Sequence, residues 1–494
     1  MSLKILFVEI GTALEMGIPP NLAILTAEAK QAGFEVNLFS ANRYKYEEKQ
    51  GDQMRVDTLQ LPPTIESKIK IEYKNTNVFN DFKNKINQFK PDIIAFSITE
   101  ISYLKCIDLI NSIEDDNIFV IVGGVYTILN PEQVIANKRI NAICVGEGEK
   151  TFVNLCLLIE NKKLTYNIDN FWFRNNSKIV KNKIAPLADM DQNIFQDWSC
   201  WEMPPRSYKI MNGKIGRTAL IELSRGCRHN CNFCANYVLN SIFKKNYRER
   251  SIKNFIEEVN HLHQKYQLGF IYIVDENFLG TSKKRFNEFI TEYKKIKIPF
   301  WIETRPELIT VEKIRKLKSV GLEVLNIGVE QGDDNFRKTI LNRYVKDEHI
   351  IRAIKICSEE KVRIGVNIII GFPTETRENI FKTIDIIKES SPDFSIMHLF
   401  QPYTGTPLRK KCIEMNLINP DFVCEDHRLN GVPTGKVSVE ELQGLMRTFN
   451  LYIDLPKSKW KEIRKAEKFD KEGNRIFKKL AKEYQLKHFG RTSF

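Results

Sequence analysis

Three runs in the first third of the chain, "IIAFSI", "IFVIVGG" and "NAICV", are apolar at nearly every position. A strand with one wet face alternates apolar and polar residues. A run without that alternation is buried on both faces, as in a parallel sheet covered by helices on either side. Strands are predicted at 4–9, 35–40, 93–98, 118–123 and 142–145, with helical patterns between them at 21–32, 102–113, 131–137 and 151–160. Alternating β and α implies an α/β fold with a doubly wound sheet over residues 1–160 and ligand loops at the carboxyl ends of its strands. A polar, Lys/Glu-rich insertion at 42–78 interrupts the series and fits neither period.

From 161 to 215 the pattern fades into an irregular linker, where Trp198 and Trp201 either clamp the interdomain region or simply pack. A second alternating series fills 216–400, with strands predicted at 219–224, 270–274, 300–304, 324–328, 363–370 and 394–399. Six βα units make an open, partial (β/α)6 barrel with its chemistry at the carboxyl ends of the strands. Residues 401–494 form a mostly helical, lysine-rich C-terminal region. No apolar run reaches the roughly 18 residues that a membrane span needs. The first residues, "MSLKILFVEIG", carry an acid within the apolar stretch and read as a first strand, not a signal peptide, so a reducing cytoplasmic setting is expected. The net charge of +13 comes from lysines scattered beside Glu and Asn, the pattern of solvated helix faces, and does not predict a nucleic-acid partner.

"SRGCRHNCNFC" places Cys227, Cys231 and Cys234, three of the ten cysteines, just after the first strand of the second series. Zinc usually takes four protein ligands in paired C-x2-C units, and no second pair lies nearby. A disulfide is disfavoured by the compartment. An iron–sulfur cluster is built on thiolates and normally uses four, so three ligands leave one iron open to a substrate or cofactor.

C-x3-C-x2-C at this place in a six-stranded partial barrel resembles the radical S-adenosylmethionine (SAM) superfamily. The resemblance implies a [4Fe-4S] cluster on Cys227, Cys231 and Cys234 whose open iron chelates SAM. It extends to Phe233 before the last cysteine, to Asp275, Glu276 and Asn277 in "YIVDENFL", and to Glu303 and Arg305 in "WIETRPEL". Glu330 in "IGVEQG" and the Gly371 and Pro373 turn of "IIIGFPTET" complete the set of implied SAM contacts. Taken singly, an acid at a strand end is more often a helix N-cap.

The stretches "GIPPNLAILTAEAKQAGFEVNLF", "PDIIAFSITE", "VIVGGVYTILNPEQV" and "ICVGEGEKTF" resemble the cobalamin-binding domain that precedes the barrel in one radical SAM subgroup, which includes methyltransferases and an anaerobic chlorophyll-ring cyclase. Gly123, Gly124, Gly146 and Gly148 would let backbone approach a large ligand closely. Tyr126 stands where the subgroup usually has a histidine turn, "GGPH". The first histidine of the chain is His229, so the D-x-H-x-x-G motif that ligates cobalt elsewhere is absent. The resemblance implies cobalamin bound base-off, with no histidine on the metal.

The implied reaction is methyl transfer to an unactivated carbon through a 5′-deoxyadenosyl radical and methylcobalamin. A cyclase or rearrangement enzyme of the same subgroup is the alternative; a methylthiotransferase or a cobalamin or iron–sulfur sensor fits less well. The substrate would be a small molecule or a peptide-bearing one, and the electron donor a protein such as flavodoxin or ferredoxin. An exposed three-ligand cluster implies oxygen sensitivity. Cys424 and Asp426, with His427, could line a substrate site. His261 and His263 read as surface or packing residues, and Cys106, Cys144 and Cys156 as small buried hydrophobes. "PYTGTPL" is expected to shape the barrel exit.

Overall fold

The computed structural model describes residues 2–11, 17–44, 51–62, 74–202, 207–211, 214–244, 246–424, 426 and 430–490. Strands β1 (Lys4–Glu9), β2 (Glu35–Ser40), β3 (Ile93–Ser97), β4 (Phe119–Gly123) and β5 (Ala142–Cys144) form a parallel sheet in the order 2-1-3-4-5. The alternation within one strand shows why it is apolar throughout. Ile5 and Phe7 join one core with Leu22, Phe152 and Leu155, while Leu6 and Val8 join the other with Phe82, Cys106 and Leu109.

The stretch 161–215 is not an irregular linker throughout. Strands β6 (Phe171–Asn175) and β7 (Lys178–Lys181) extend the first sheet antiparallel from β5. Asn176 takes the left-handed turn position at φ 53°, a role Asn tolerates. Strand β8 (Tyr208–Met211) then pairs antiparallel with β9 (Lys214–Ile221). These short, mixed-polarity strands lack the apolar runs that make the buried ones visible in sequence.

The second sheet curls through β9, β12 (Phe270–Ile273), β13 (Phe300–Thr304), β14 (Leu322–Glu330), β15 (Arg363–Ile370) and β16 (Phe394–Leu399), all parallel; a two-residue ribbon, β10 (Ser224–Arg225) with β11 (Arg248–Glu249), stands at its mouth. Helices cover its outside. The one over Ile252–Tyr266 is typical: Ser251 caps Asn254 N, and Ile252, Phe255, Val259 and Leu262 at helical spacing are buried. On the inner face Tyr272, Trp301, Glu303, Glu330, Asn367, Ile369 and His398 stay partly exposed while their neighbours in the chain are buried. These side chains line the barrel interior.

The C-terminal region is helical, as expected, over Pro407–Glu414, Val439–Asp454, Trp460–Ala466 and Lys471–Phe489. Part of the 42–78 insertion is the helix Gly51–Asp57. Gln60, three residues beyond it, accepts a bond from Met397 N at 2.9 Å, and Leu59 O accepts one from Asn450 at 3.0 Å. The insertion thus covers part of the free edge of β16, which would otherwise leave unpaired backbone groups. One continuous apolar core runs from Leu3 through Trp198 and Trp201 to Phe255, joining the two sheets. Trp198 stacks on Tyr266 at 4.6 Å, and Trp201 donates to Glu9 at 3.3 Å.

Candidate functional site

The three cysteines sit on one loop at the carboxyl end of β9. Gly226 opens it at φ 84°, where a Cβ would lie 2.6 Å from Asn246 O, so the approach needs glycine. Asn240 closes it from within by donating to Cys227 O (3.0 Å), His229 O (3.3 Å) and Asn230 Oδ1 (2.7 Å). From outside, Asn232 N donates to Leu341 O (3.0 Å), and Asn342 donates to Asn230 O (2.8 Å). Cys234 is the N-cap residue of the helix Ala235–Ile242.

Two side chains reach the sulfurs. Arg343 Nη1 lies 4.0 Å from Cys231 Sγ and Asn236 Nδ2 lies 3.8 Å from Cys234 Sγ. Burial, with Glu276 adding to it, pushes the Cys234 thiol up to about 12, and burial also raises Cys227. No His, Cys, Asp and Glu among the described residues converge tightly enough for a single metal ion. Three thiols spread along a clamped loop, with donors to sulfur at its back, instead fit an iron–sulfur cluster, whose potential such donors tune.

The expected SAM contacts divide into two groups. Asp275 Oδ1 accepts from Leu223 N (3.0 Å) and Ser224 N (2.7 Å), and Asn277 Oδ1 accepts from Thr304 Oγ1 (2.9 Å) and Arg305 N (3.2 Å). These two, expected as SAM contacts, use their side-chain oxygens to tie neighbouring strand ends together. Burial raises Asp275 to about 7 against those bonds. Glu276, Glu303 and Glu330 converge instead: burial and the charges of Glu276 and Glu330 raise Glu303 to about 7, and burial raises the other two. Glu330 adopts φ 65° where the β14–β15 register slips. That left-handed position is unusual for a residue with a side chain and re-aims the carboxylate. It lies 3.7 Å from Arg343, while Arg305 pairs with Glu307 at 2.5 Å. Phe233 packs on Phe372 with ring centroids 5.6 Å apart, between Gly371 and Pro373. Gly371 N and Phe372 N both donate to Glu375, a buried acid raised to about 8.

In the first domain, Gly124 (φ 102°) would put a Cβ 2.4 Å from Ile98 O, and Gly146 would put one 2.3 Å from Asn170. Both glycines are filled by the protein's own chain. Gly123 and Gly148 differ: a Cβ at either would make only ordinary van der Waals contacts, at 3.6 and 3.9 Å, so the chain's own packing does not require glycine there. Tyr126 is fully buried and bonds Gln133 at 2.6 Å beneath Tyr103, because the helix Val125–Leu129 turns it into the core. The same helix packs on Ala235–Ile242, bringing this turn beside the cysteine loop. A cavity of ≈ 480 Å³ lies away from this junction, along β2 between Phe39, Lys85 and Trp201.

Sequence reasoning missed the charged joint between the domains. Arg225, two residues before Cys227, lies 2.7 Å from Glu147, 2.8 Å from Glu149 and 2.8 Å from Glu222, and Arg248 also pairs with Glu147. A second joint buries Glu100, which accepts from Arg409 (3.1 Å), Thr404 N (2.9 Å) and Cys424 N (3.2 Å). It holds the 402–408 turn, where Gly405 would place a Cβ 3.1 Å from Val238 of the cysteine helix. Cys424 and Asp426 are buried at this junction, and His427 lies outside the described residues. His261 and His263 are exposed, as expected. No motif marks Arg225, Arg343 or Glu100, since Glu147, Cys231 and Arg409, which they meet, are far away in sequence.

The family model described as radical SAM superfamily matches residues 221–387, and that of the B12 binding domain matches residues 10–156. The chain is 26% identical over 346 residues to an uncharacterized methyltransferase of Pyrococcus horikoshii, covering 69% of this chain and 73% of that one. It is 24% identical over 402 residues to the anaerobic magnesium-protoporphyrin IX monomethyl ester cyclase of Rubrivivax gelatinosus, covering 78% and 70%. Its fold is that of the radical SAM methyltransferase TsrM from Kitasatospora setae with cobalamin and a [4Fe-4S] cluster bound. The TM-score is 0.64 at 16% identity, covering 88% of this chain and 81% of the other.

Proposed function

The chain belongs to the radical SAM superfamily and carries a B12-binding domain ahead of its barrel, and on that premise we propose that it transfers a methyl group to an unactivated carbon of a small molecule. The observation that carries the reading is the adjacency of the two sites. The glycine turn of the first sheet is packed, through the helix Val125–Leu129, against the helix that follows Cys234. When bound, the cluster and SAM supply hydrogen-atom abstraction, and cobalamin supplies the methyl group. An enzyme with only one of these has no use for both domain faces meeting at one junction.

The chain's own residues hold and orient the participants. Cys227, Cys231 and Cys234 would hold the cluster, with Arg343 and Asn236 behind the sulfurs. Glu276 and Glu330 offer carboxylates to a SAM ammonium, and Arg305 and Arg343 offer cations to its carboxylate. Phe233 and the Gly371–Pro373 turn form the wall beside them. Gly123 and Gly148 make room for the corrin, and with no histidine before His229 the cobalt would take no protein imidazole, a base-off state without a His ligand. An acidic one-electron carrier such as flavodoxin or ferredoxin would supply the electron. Ten free cysteines fit a reducing cytoplasm, and no described helix is long and apolar enough to cross a membrane.

The cyclase relative favours a second reading in the same subgroup, ring formation without methyl transfer. Products separate the two. Reduced, cobalamin-loaded protein that methylates its substrate releases both 5′-deoxyadenosine and S-adenosylhomocysteine from SAM; the cyclase reading gives the first without the second.

A further inference from the structure

The inner face of the barrel carries an aromatic and polar patch of partly exposed side chains below the cysteine loop. Its floor is aromatic: Trp301 and Phe394 pack over Met211, Phe270 and Val324. Tyr272 stacks on Trp301 with ring centroids 4.4 Å apart. On the wall above stand Glu303 and, across the β13–β14 register, Asn326. Glu303 has no cationic partner within ion-pair distance among the described residues. Asn326 is 1% exposed, and its Oδ1 has no hydrogen-bond partner; the indole N–H of Trp301 has none either. A buried amide oxygen without a donor costs about 1–3 kcal/mol, so it points to a ligand that supplies one. Glu330 lies four residues beyond Asn326 on the same strand, so Asn326 and the aromatic floor lie below the carboxylate that meets Arg343, with Glu303 between the two levels and within reach of the charge of Glu330.

Tyr272 and the Asn326 amide bond the Glu303 carboxylate but bring it no charge, and aromatic faces around an acid without a counter-ion select a cation: the rings attract it through their quadrupoles, and the acid neutralises it. We propose that Tyr272, Trp301, Glu303 and Asn326 form the substrate subsite, and that the substrate presents a protonated amine there, which Glu303 and the rings bind and whose N–H Asn326 accepts. This inference deepens the methyltransferase reading and rests on it for the role of the occupant. An arriving ammonium would also favour ionisation of a carboxyl that burial holds near 7.

The test uses the full chain, anaerobically reconstituted and saturated with SAM, and measures binding of three probes of one shape by ligand-observed NMR: 2-phenylethylamine, 2-phenylethanol and phenylacetate. The amine is expected to bind at least about tenfold more tightly than the alcohol, and the anion least. Glu303→Gln, checked for an unchanged Tm, should bring the amine level with the alcohol while SAM affinity stays within twofold. Equal binding of the three probes by the unaltered protein overturns the proposal without any variant. So does an amine preference that survives Glu303→Gln, or a loss of SAM binding in that variant, which would place the acid in SAM's own site. Failure of the methyltransferase reading is a separate result, absence of S-adenosylhomocysteine, and does not alter the order of the probes.

Discussion

Arg225→Met removes the cation from the joint between the two domains while keeping the stem of the side chain. Arg225 is 23% exposed and faces Glu147 (14%), Glu149 (11%) and Glu222 (24%). Glu149 has no other cation among the described residues, whereas Glu147 keeps Arg248. Burial would raise the Glu147 carboxyl, but Arg225 and then Arg248 outweigh it and hold it below its usual range. Breaking a fully buried pair costs about 3–5 kcal/mol, so this partly wet joint should cost about 2–3 kcal/mol. That is a fall in Tm of about 6 °C for a cooperative unit of domain size. Glu147→Gln leaves Arg225 with two acids and should cost about 1 kcal/mol. Differential scanning calorimetry of both variants and their combination gives the coupling, expected at about 1 kcal/mol because the two side chains touch. Arg225→Met melting within 1 °C of the unaltered protein would refute the reasoning, as would strict additivity.

Three further outcomes are expected. Asp275 and Glu303 (about 7) and Glu375 (about 8) have folded-state values above those of the unfolded chain, so the folded state binds more protons between about pH 4 and 8. Stability in urea should therefore fall as pH rises through that window, and Glu375→Gln should flatten the slope near its upper end. Gly124→Ala should fail to yield a folded first domain, since its Cβ would meet Ile98 O at 2.4 Å in a left-handed conformation; circular dichroism and expression level check this. Gly148→Ala meets nothing closer than 3.9 Å and should keep its Tm, yet retain less hydroxocobalamin after desalting because the added methyl stands where the corrin would approach the backbone.

Both sheets and the cysteine loop were legible because their signals are local. Unbroken apolar runs report burial on two faces, and three thiols in eight residues need no partner from elsewhere in the chain. The strands β6 to β8 were not legible, since their pairing partners, not their own composition, make them strands. Within the site, an acid at a strand end announces a polar role but not its direction. Asp275 turns back to cap Leu223 and Ser224, whereas Glu330 is thrown inward by a register slip that no sequence pattern encodes. The direction of Tyr126 was hidden for the same reason: the turn is visible, and which way its helix faces is not. Arg225, Arg343 and Glu100 each also meet a partner 76 or more residues away, such as Thr404, 304 residues from Glu100, and only the fold brings these together.

The central claim is that one junction serves two cofactors. Its most direct test is the metal content of the full chain after anaerobic cluster reconstitution, incubation with hydroxocobalamin and desalting. The account predicts about four irons and about one cobalt per chain, with the iron lost in Cys231→Ala and the cobalt retained. Iron at that level with no cobalt would contradict it, leaving the first domain as a scaffold beside a radical SAM barrel.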